Sequence, residues 1–309
     1  MTSALRAFHW LCVVLCLSSC AGGEDGSTRD NMASETSIPF DWQGHRGARG
    51  LAPENTVPAF LRALEYPVTT LELDLAVSAD SQLIVSHEPW MSATICSRPD
   101  GRPVPEAEAE TFALFGMTLS EIRSFDCGSR GHPDFPEQEP MPAHKPTLEE
   151  VVLAVRQYCA DTGRERPRYN LEIKSQPEWD GRLTPEPQRF ASLVVEELAR
   201  LGLREISCVQ SFDFRSLEAV HALDSTLTTA MLVANQKGLQ GNLTELGYQP
   251  EIYSPYFRLV SAGLVDSAHA RGMRIIPWTV NEVEQMQTLR RMGVDGIITD
   301  YPDRVLQLK

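Results

Sequence analysis

Two strand-like runs in this 309-residue chain carry charged side chains at alternate positions. In Thr69 to Val77 these are Glu72 and Asp74; in Tyr169 to Lys174 they are Glu172 and Lys174. Side chains two apart on a strand share a face. Each pair therefore projects together, while Leu71, Leu73 and Leu75, and likewise Leu171 and Ile173, project the other way. Acids aimed into an interior are costly unless paired or bound to a cation. Three converging carboxylates, Glu72, Asp74 and Glu172, make a hard oxygen-ligand site suited to Ca²⁺ or Mg²⁺ rather than zinc. No CxxC or HExxH spacing competes. The alternative is that each acid salt-bridges a neighbouring Arg or Lys. His45, followed by Arg46-Gly47, and His87 each end a strand-like run. One such histidine is most often structural, but two beside acids and cations fit proton transfer near neutral pH.

The elements that position these groups alternate along the chain. Strand-like runs are Phe40 to His45, Thr69 to Val77, Leu83 to His87, Tyr169 to Lys174, Ile206 to Ser211, Leu227 to Val233, Ile252 to Ser254, Met273 to Val280 and Gly296 to Thr299. Helical stretches are Asn55 to Glu65, Leu148 to Tyr158, Pro187 to Leu201, Val260 to Arg271 and Val283 to Met292. In Pro187 to Leu201, the residues Phe190, Leu193, Val194, Leu198 and Leu201 fall on one face. Asn55 is read as the cap of the first helix. Strand-then-helix repetition predicts an α/β fold with a parallel sheet covered by helices, and eight such units close into a barrel. His45 then stands at the C-terminal rim, where barrel active sites lie.

Nine runs leave one over. The gap between Val77 and Leu83 is too short for a crossover helix, so Leu83 to His87 is predicted to fold back as a hairpin partner. Residues 89–145 carry eight prolines and little periodicity. They read as a long insertion on the catalytic side, either a substrate-shaping cap or a structural excursion.

Acidic residues outnumber basic ones 42 to 28, for a net charge of -14, and 42% of the chain is apolar. That leaves material for a large core but no basic face for nucleic acid. The longest apolar run, Ala7 to Leu17, is too short to span a bilayer. With Arg6 before it and small residues after it, it reads as an export signal over residues 1–19. Leu17-Ser18-Ser19-Cys20 resembles the lipobox of bacterial lipoproteins, which implies acylation at Cys20 and a membrane anchor in the cell envelope. A plain secretory signal is the alternative. Residues 20–37 read as a flexible tether and 38–309 as the folded body. Four cysteines remain past Cys20, and they allow three pairings. Cys96 and Cys127 share one loop-rich segment, which favours a bridge there, and Cys208 in an apolar strand reads as a buried thiol.

Residues 44 to 60, GHRGARGLAPENTVPAF, resemble the opening signature of the glycerophosphodiester phosphodiesterase family, and Glu72-Leu73-Asp74 resembles its Glu-x-Asp. Further matches follow in order: Leu83 to His87, Leu171 to Lys174, Gln210-Ser211-Phe212, Trp278 to Asn281 and Gly293 to Pro302. One departure is Glu88, where many members have Asp.

The resemblance implies a distorted TIM barrel that hydrolyses glycerophosphodiesters to glycerol 3-phosphate and an alcohol. It implies that Glu72, Asp74 and Glu172 hold one divalent cation and that His45 and His87 form an acid–base pair. Phe212 and Trp278 match positions that pack against the glycerol. The chemistry agrees, because a phosphodiester needs charge neutralisation on phosphate, a base for the attacking oxygen and an acid for the leaving one. Arg46 and Lys174 are placed to clamp phosphate oxygens. Rival readings are a lysophospholipase D-like or phosphatidylinositol-type phosphodiesterase and, less favoured, a non-catalytic envelope scaffold.

Overall fold

The alternation of leucines with Thr70, Glu72 and Asp74 becomes a stave with two different faces. Leu71, Leu73 and Leu75 are fully buried in the layer between sheet and helices, where Phe60, Leu148, Val152, Phe190 and Val194 meet them. The computed structural model describes residues 39–308. The expected signal at 1–19, the expected acylation site Cys20 and the expected tether at 20–37 lie outside the described residues.

The strands are Asp41–Gly44 (β1), Thr70–Val77 (β2), Leu83–Val85 (β3), Arg168–Ile173 (β4), Ser207–Ser211 (β5), Thr228–Val233 (β6), Ile252–Pro255 (β7), Arg274–Ile275 (β8) and Gly296–Thr299 (β9). The helices are Val57–Ala63 (α1), Leu119–Arg123 (α2), Leu148–Thr162 (α3), Pro187–Arg200 (α4), Phe214–Leu223 (α5), Gly238–Leu246 (α6), Ala262–His269 (α7) and Val283–Arg291 (α8). The sheet order is β8-β7-β6-β5-β4-β2-β1-β9, with every neighbouring pair parallel. Backbone bonds from Asp295 N–H to the Ile275 carbonyl (2.9 Å) and from Ile298 N–H to the Pro277 carbonyl (3.0 Å) join the two edges. The result is the expected (β/α)₈ barrel. The extra run pairs antiparallel with β2 as β3, Leu75 opposite Val85, as the short gap required.

Several boundaries differ from the sequence reading for local reasons. The eighth stave is regular only over Arg274–Ile275. Beyond it Pro277 has no N–H to donate, and pairing continues through a single Tyr256–Trp278 bridge. Helix α1 starts at Val57 and not at Asn55: Thr56 is its N-cap, with Oγ1 accepting from Ala59 N–H. Helices α5 and α6 were absent from the sequence reading. Residues 89–145 form a lobe with its own apolar centre around Met91, Leu114, Ile122 and Phe125. A Cys96–Cys127 disulfide closes the lobe, while Cys159 and Cys208 are buried free thiols. Its Phe135 ring lies 4.5 Å beneath the Arg49 guanidinium, which fastens the lobe to the loop after β1.

Much of the barrel interior is polar. Asn170 donates to Gln43 Oε1 (2.8 Å) and to Gln210 Oε1 (2.9 Å), and Gln43 in turn donates to Asp41 Oδ2 (3.0 Å). Arg168 pairs with the same Asp41 at 2.9 Å. The amide nitrogens thereby find acceptors, as buried polar groups require, while among the described residues Asn170 Oδ1 is buried without a donor.

Candidate active site

The register between β2 and β4 sets the acids side by side. Asp74 stands opposite Glu172, and Glu72 is one inward-facing position lower on β2. One carboxylate oxygen from each of the three lies within 4.8 Å of the others, and all three residues are buried. Glu72 Oε1 accepts from Gln210 Nε2 (2.8 Å) and Oε2 from the Arg46 backbone N–H (2.9 Å). Asp74 Oδ2 accepts from Asn55 Nδ2 (2.7 Å) and lies 3.2 Å from Arg46 Nε. Glu172 Oε1 accepts from Lys174 Nζ at 2.7 Å. The salt-bridge alternative is thus realised for Asp74 and Glu172, whereas among the described residues Glu72 has no Arg or Lys side chain within 4 Å.

Burial, with the neighbouring charges of Asp74 and Glu172, pushes the Glu72 carboxyl well above the carboxylate range. Burial also raises Glu172, although Lys174 opposes it. Burial acts on Asp74 in the same sense, but Arg46, His87 and Lys174 outweigh it and hold that carboxyl well below the usual range. Among the described residues Asp74 Oδ1 is buried without a hydrogen-bond donor, and Lys174 Nζ lies 3.9 Å from it. An all-oxygen donor set, mutual repulsion and an unsatisfied buried lone pair fit one hard divalent cation.

His45 follows directly on β1. Its Nδ1–H donates to Asp300 Oδ1 at 2.6 Å, and Nε2 lies 4.0 Å from Glu72 Oε2. Asp300 is itself fixed, because Asn281 Nδ2 donates to its Oδ2 (2.7 Å) and its backbone N–H returns to Asn281 Oδ1 (3.0 Å). A carboxylate on Nδ1 selects the tautomer whose Nε2 is a free base. Burial lowers the His45 pKa, against the pull of Asp300. Burial would raise the Asp300 carboxyl, but His45 holds it down at about 2. His87, two residues past β3, has the matching arrangement, with Nδ1 2.8 Å from Glu88 Oε1. Burial and then the Arg46 charge lower the His87 pKa. The longer Glu88 side chain thus still reaches the imidazole.

The loop after β1 is built around unusual backbone. Arg46 (φ 50°) and Asn55 (φ 55°) are left-handed, and Gly47 (φ 86°) has no room for a Cβ, which would meet the Ala59 backbone at 2.6 Å. Left-handed non-glycine residues concentrate where surrounding contacts over-determine them. Here Arg46 donates to Glu54 Oε1 (2.8 Å), and Arg49 pairs with Glu54 Oε2. Asn55 does not cap α1 but is held on Asp74 from both sides, since the Asp74 backbone N–H also donates to its Oδ1 (3.3 Å). Asparagine tolerates the left-handed region, and Thr56 takes the capping role.

The structure brings every expected site residue among the described residues to one place. His45, His87, Arg46, Lys174, Glu72 and Glu172 line a cavity of about 240 Å³, with Phe212 and Trp278 on its wall and Asp74 behind. Phe212 and Trp278 meet edge to face at 5.2 Å, and Phe212 is 43% exposed. Sequence reasoning gave no role to Asp300, Asn281, Gln210, Glu54, Arg49 or Lys145. The first five stand inside the matched motifs, which is the signal that could have found them.

A family model described as the glycerophosphoryl diester phosphodiesterase family matches residues 45–304. This chain belongs to that family. The match encloses the candidate site from His45 to Trp278 and extends past Asp300. The chain is similar to the glycerophosphodiester phosphodiesterase of Caldanaerobacter subterraneus subsp. tengcongensis, at 28% identity over 269 residues, covering 85% of this chain and 95% of that one. It is also similar to the glycerophosphodiester phosphodiesterase of Bacillus subtilis, at 28% identity over 276 residues, covering 86% of this chain and 85% of that one. A solved structure from Silicibacter pomeroyi DSS-3 superposes with a TM-score of 0.76 at 30% identity, covering 87% of this chain and 92% of its own. A phosphodiesterase from Oleispira antarctica, solved with its product sn-glycerol-3-phosphate, shares the fold with a TM-score of 0.67 at 21% identity, covering 86% and 95%.

Proposed function

We propose that this chain hydrolyses small glycerophosphodiesters to glycerol 3-phosphate and an alcohol. The observation that carries the reading is the convergence of three acids and two carboxylate-anchored imidazoles on one cavity. Glu72, Asp74 and Glu172 would hold a divalent cation, Ca²⁺ or Mg²⁺, which when bound neutralises charge on a non-bridging phosphate oxygen. His45 and His87 divide the proton work: one takes the proton of the attacking oxygen while the other gives one to the departing alkoxide. Lys174 and Arg46 balance the remaining phosphate charge, and Phe212 and Trp278 pack against the glycerol carbons. A lysophospholipase D-like reading needs an apolar path for an acyl chain, and the comparison of substrates below separates the two.

The test is release of glycerol 3-phosphate by chelated protein with Ca²⁺ or Mg²⁺ added back. Metal-restored turnover of glycerophosphocholine or glycerophosphoethanolamine supports the reading. Faster turnover of lysophosphatidylcholine would replace it with the lipid-directed alternative, and no turnover of any diester would favour a scaffold.

We further propose that residues 1–19 direct export, that Cys20 is acylated, and that 20–37 tether the barrel to the cell envelope. The lipobox-like Leu17 to Cys20 supports this. Palmitate labelling that Cys20→Ala abolishes is the expected result.

A further inference from the structure

Lys145, at the end of the lobe, is a buried ammonium with no acid within salt-bridge distance among the described residues. It is 5% exposed, and its Nζ donates to Ser86 Oγ at 2.6 Å. The Ser86 hydroxyl passes the bond on to the Glu88 carbonyl at 2.6 Å. The backbone around Lys145 fastens the same turn: Val85 N–H donates to the Pro146 carbonyl (2.8 Å), and Ile84 bridges antiparallel to Thr147. The lobe is tied to this point through its disulfide, because Cys127 N–H donates to the Ala143 carbonyl (2.7 Å). A core position asks only for volume, and an uncharged side chain of Lys145's length would fill this one without desolvating a charge. The ammonium therefore needs another reason, and of the acids whose charges act on it, Glu88, Glu54 and Asp74, the strongest is Glu88, which anchors His87.

We propose that Lys145 is a positioning residue for His87, fixing the Ser86–Glu88 turn so that the Glu88 carboxylate stays on Nδ1 and His87 Nε2 stays turned to the cavity. The catalytic significance of this rests on the reading of His87 as a proton carrier; the positioning itself does not. Burial would lift the Glu88 carboxyl, but His87 and then Lys145 keep it well below the usual range, an anion able only to accept. With the ammonium gone, the Ser86 hydroxyl loses its donor, the turn loosens, and His87 samples both tautomers.

The experiment uses the full chain labelled with ¹⁵N-histidine at fixed neutral pH, with the His87 signals assigned through His87→Gln. The wild type is expected to show one tautomer, protonated on Nδ1. Lys145→Met should shift its ring-nitrogen signals toward a tautomer average. It should also lower kcat by at least about tenfold while KM moves less than about threefold. Lys145→Met combined with Glu88→Gln should be no slower than Glu88→Gln alone, since the lysine acts through that carboxylate. Unchanged His87 signals in a folded Lys145→Met overturn the proposal, even if its melting temperature falls. If Lys145→Met does not fold, Ser86→Ala carries the same test: averaged His87 signals support the proposal and unchanged ones overturn it. A wild type that cleaves no diester removes the phosphodiesterase reading, while the nitrogen signals still decide the positioning role.

Discussion

His45 and Asp300 are separated by 255 residues and joined by a 2.6 Å hydrogen bond from ring to carboxylate. The bond links the first stave of the barrel to the turn after the last, so barrel closure itself orients the His45 imidazole, one of the two proposed proton carriers. Asp300→Asn keeps the shape but removes the anion that selects the tautomer. We expect kcat to fall on the order of 10²-fold with KM nearly unchanged. Steady-state kinetics on glycerophosphocholine check this, and an unaltered kcat would show that Asp300 is dispensable.

The same pair sets an acid limit on stability. Despite burial, which opposes it, the Asp300 carboxyl lies at about 2 in the fold, below its ordinary 3.8. A depressed carboxyl contributes stability that is present above the unfolded value and is lost as pH falls through the folded one. Asp41 is shifted in the same direction: burial opposes, but Arg168 and the hydroxyls of Thr70 and Thr69 together outweigh it. Melting temperature should therefore drop between about pH 4 and pH 2, with Asp300 accounting for on the order of 2 kcal/mol. In Asp300→Asn the drop should be shallower, and an identical acid profile would contradict the linkage.

The proposed cation site at the three acids can be tested through stability as well as turnover. Glu172→Gln removes one of three charges while Lys174 keeps an oxygen to bond. Chelated wild type should be stabilised on addition of Ca²⁺ or Mg²⁺, by about 2.7 kcal/mol at a hundredfold excess over Kd, seen as a rise in melting temperature. Glu172→Gln should gain far less and turn over at most about a hundredth as fast. Equal metal-induced shifts in the two proteins would move the site elsewhere.

Asn55 and Thr56 are chain neighbours with separable duties. Asn55→Gly retains the left-handed backbone but removes the bond to Asp74, so activity should fall about tenfold or more with little change in melting temperature. Thr56→Ala removes the cap of α1 and should cost about 1 kcal/mol of stability with activity nearly intact. Reversed phenotypes would restore the capping role to Asn55.

The parts of the molecule that follow a local rule were legible in the sequence. Period-two alternation on β2 and β4 put Glu72, Asp74 and Glu172 on the inner face, and parallel register then made them neighbours. The short gap before Leu83 could be nothing but a turn. What escaped depends on contacts far away in the chain. Asp300 looks like any acid until the barrel closes on His45. Helix α6 contains Gly238 and Gly241, poor helix formers, and is held by buried Asn242, which donates to the Tyr253 hydroxyl at 3.1 Å and the Gly238 carbonyl at 2.8 Å. Asn55 misled because a helix-capping preference applied equally well to its neighbour.

The two imidazoles stand on different foundations. His45 follows a stave of the closed barrel and leans on that barrel's last turn, whereas His87 follows an antiparallel ribbon whose outer edge is bordered by Pro146 and Thr147, where the chain leaves the lobe. Remodelling the lobe, by natural drift or by graft, therefore acts on the footing of His87, while the bond between His45 and Asp300 stays within the barrel.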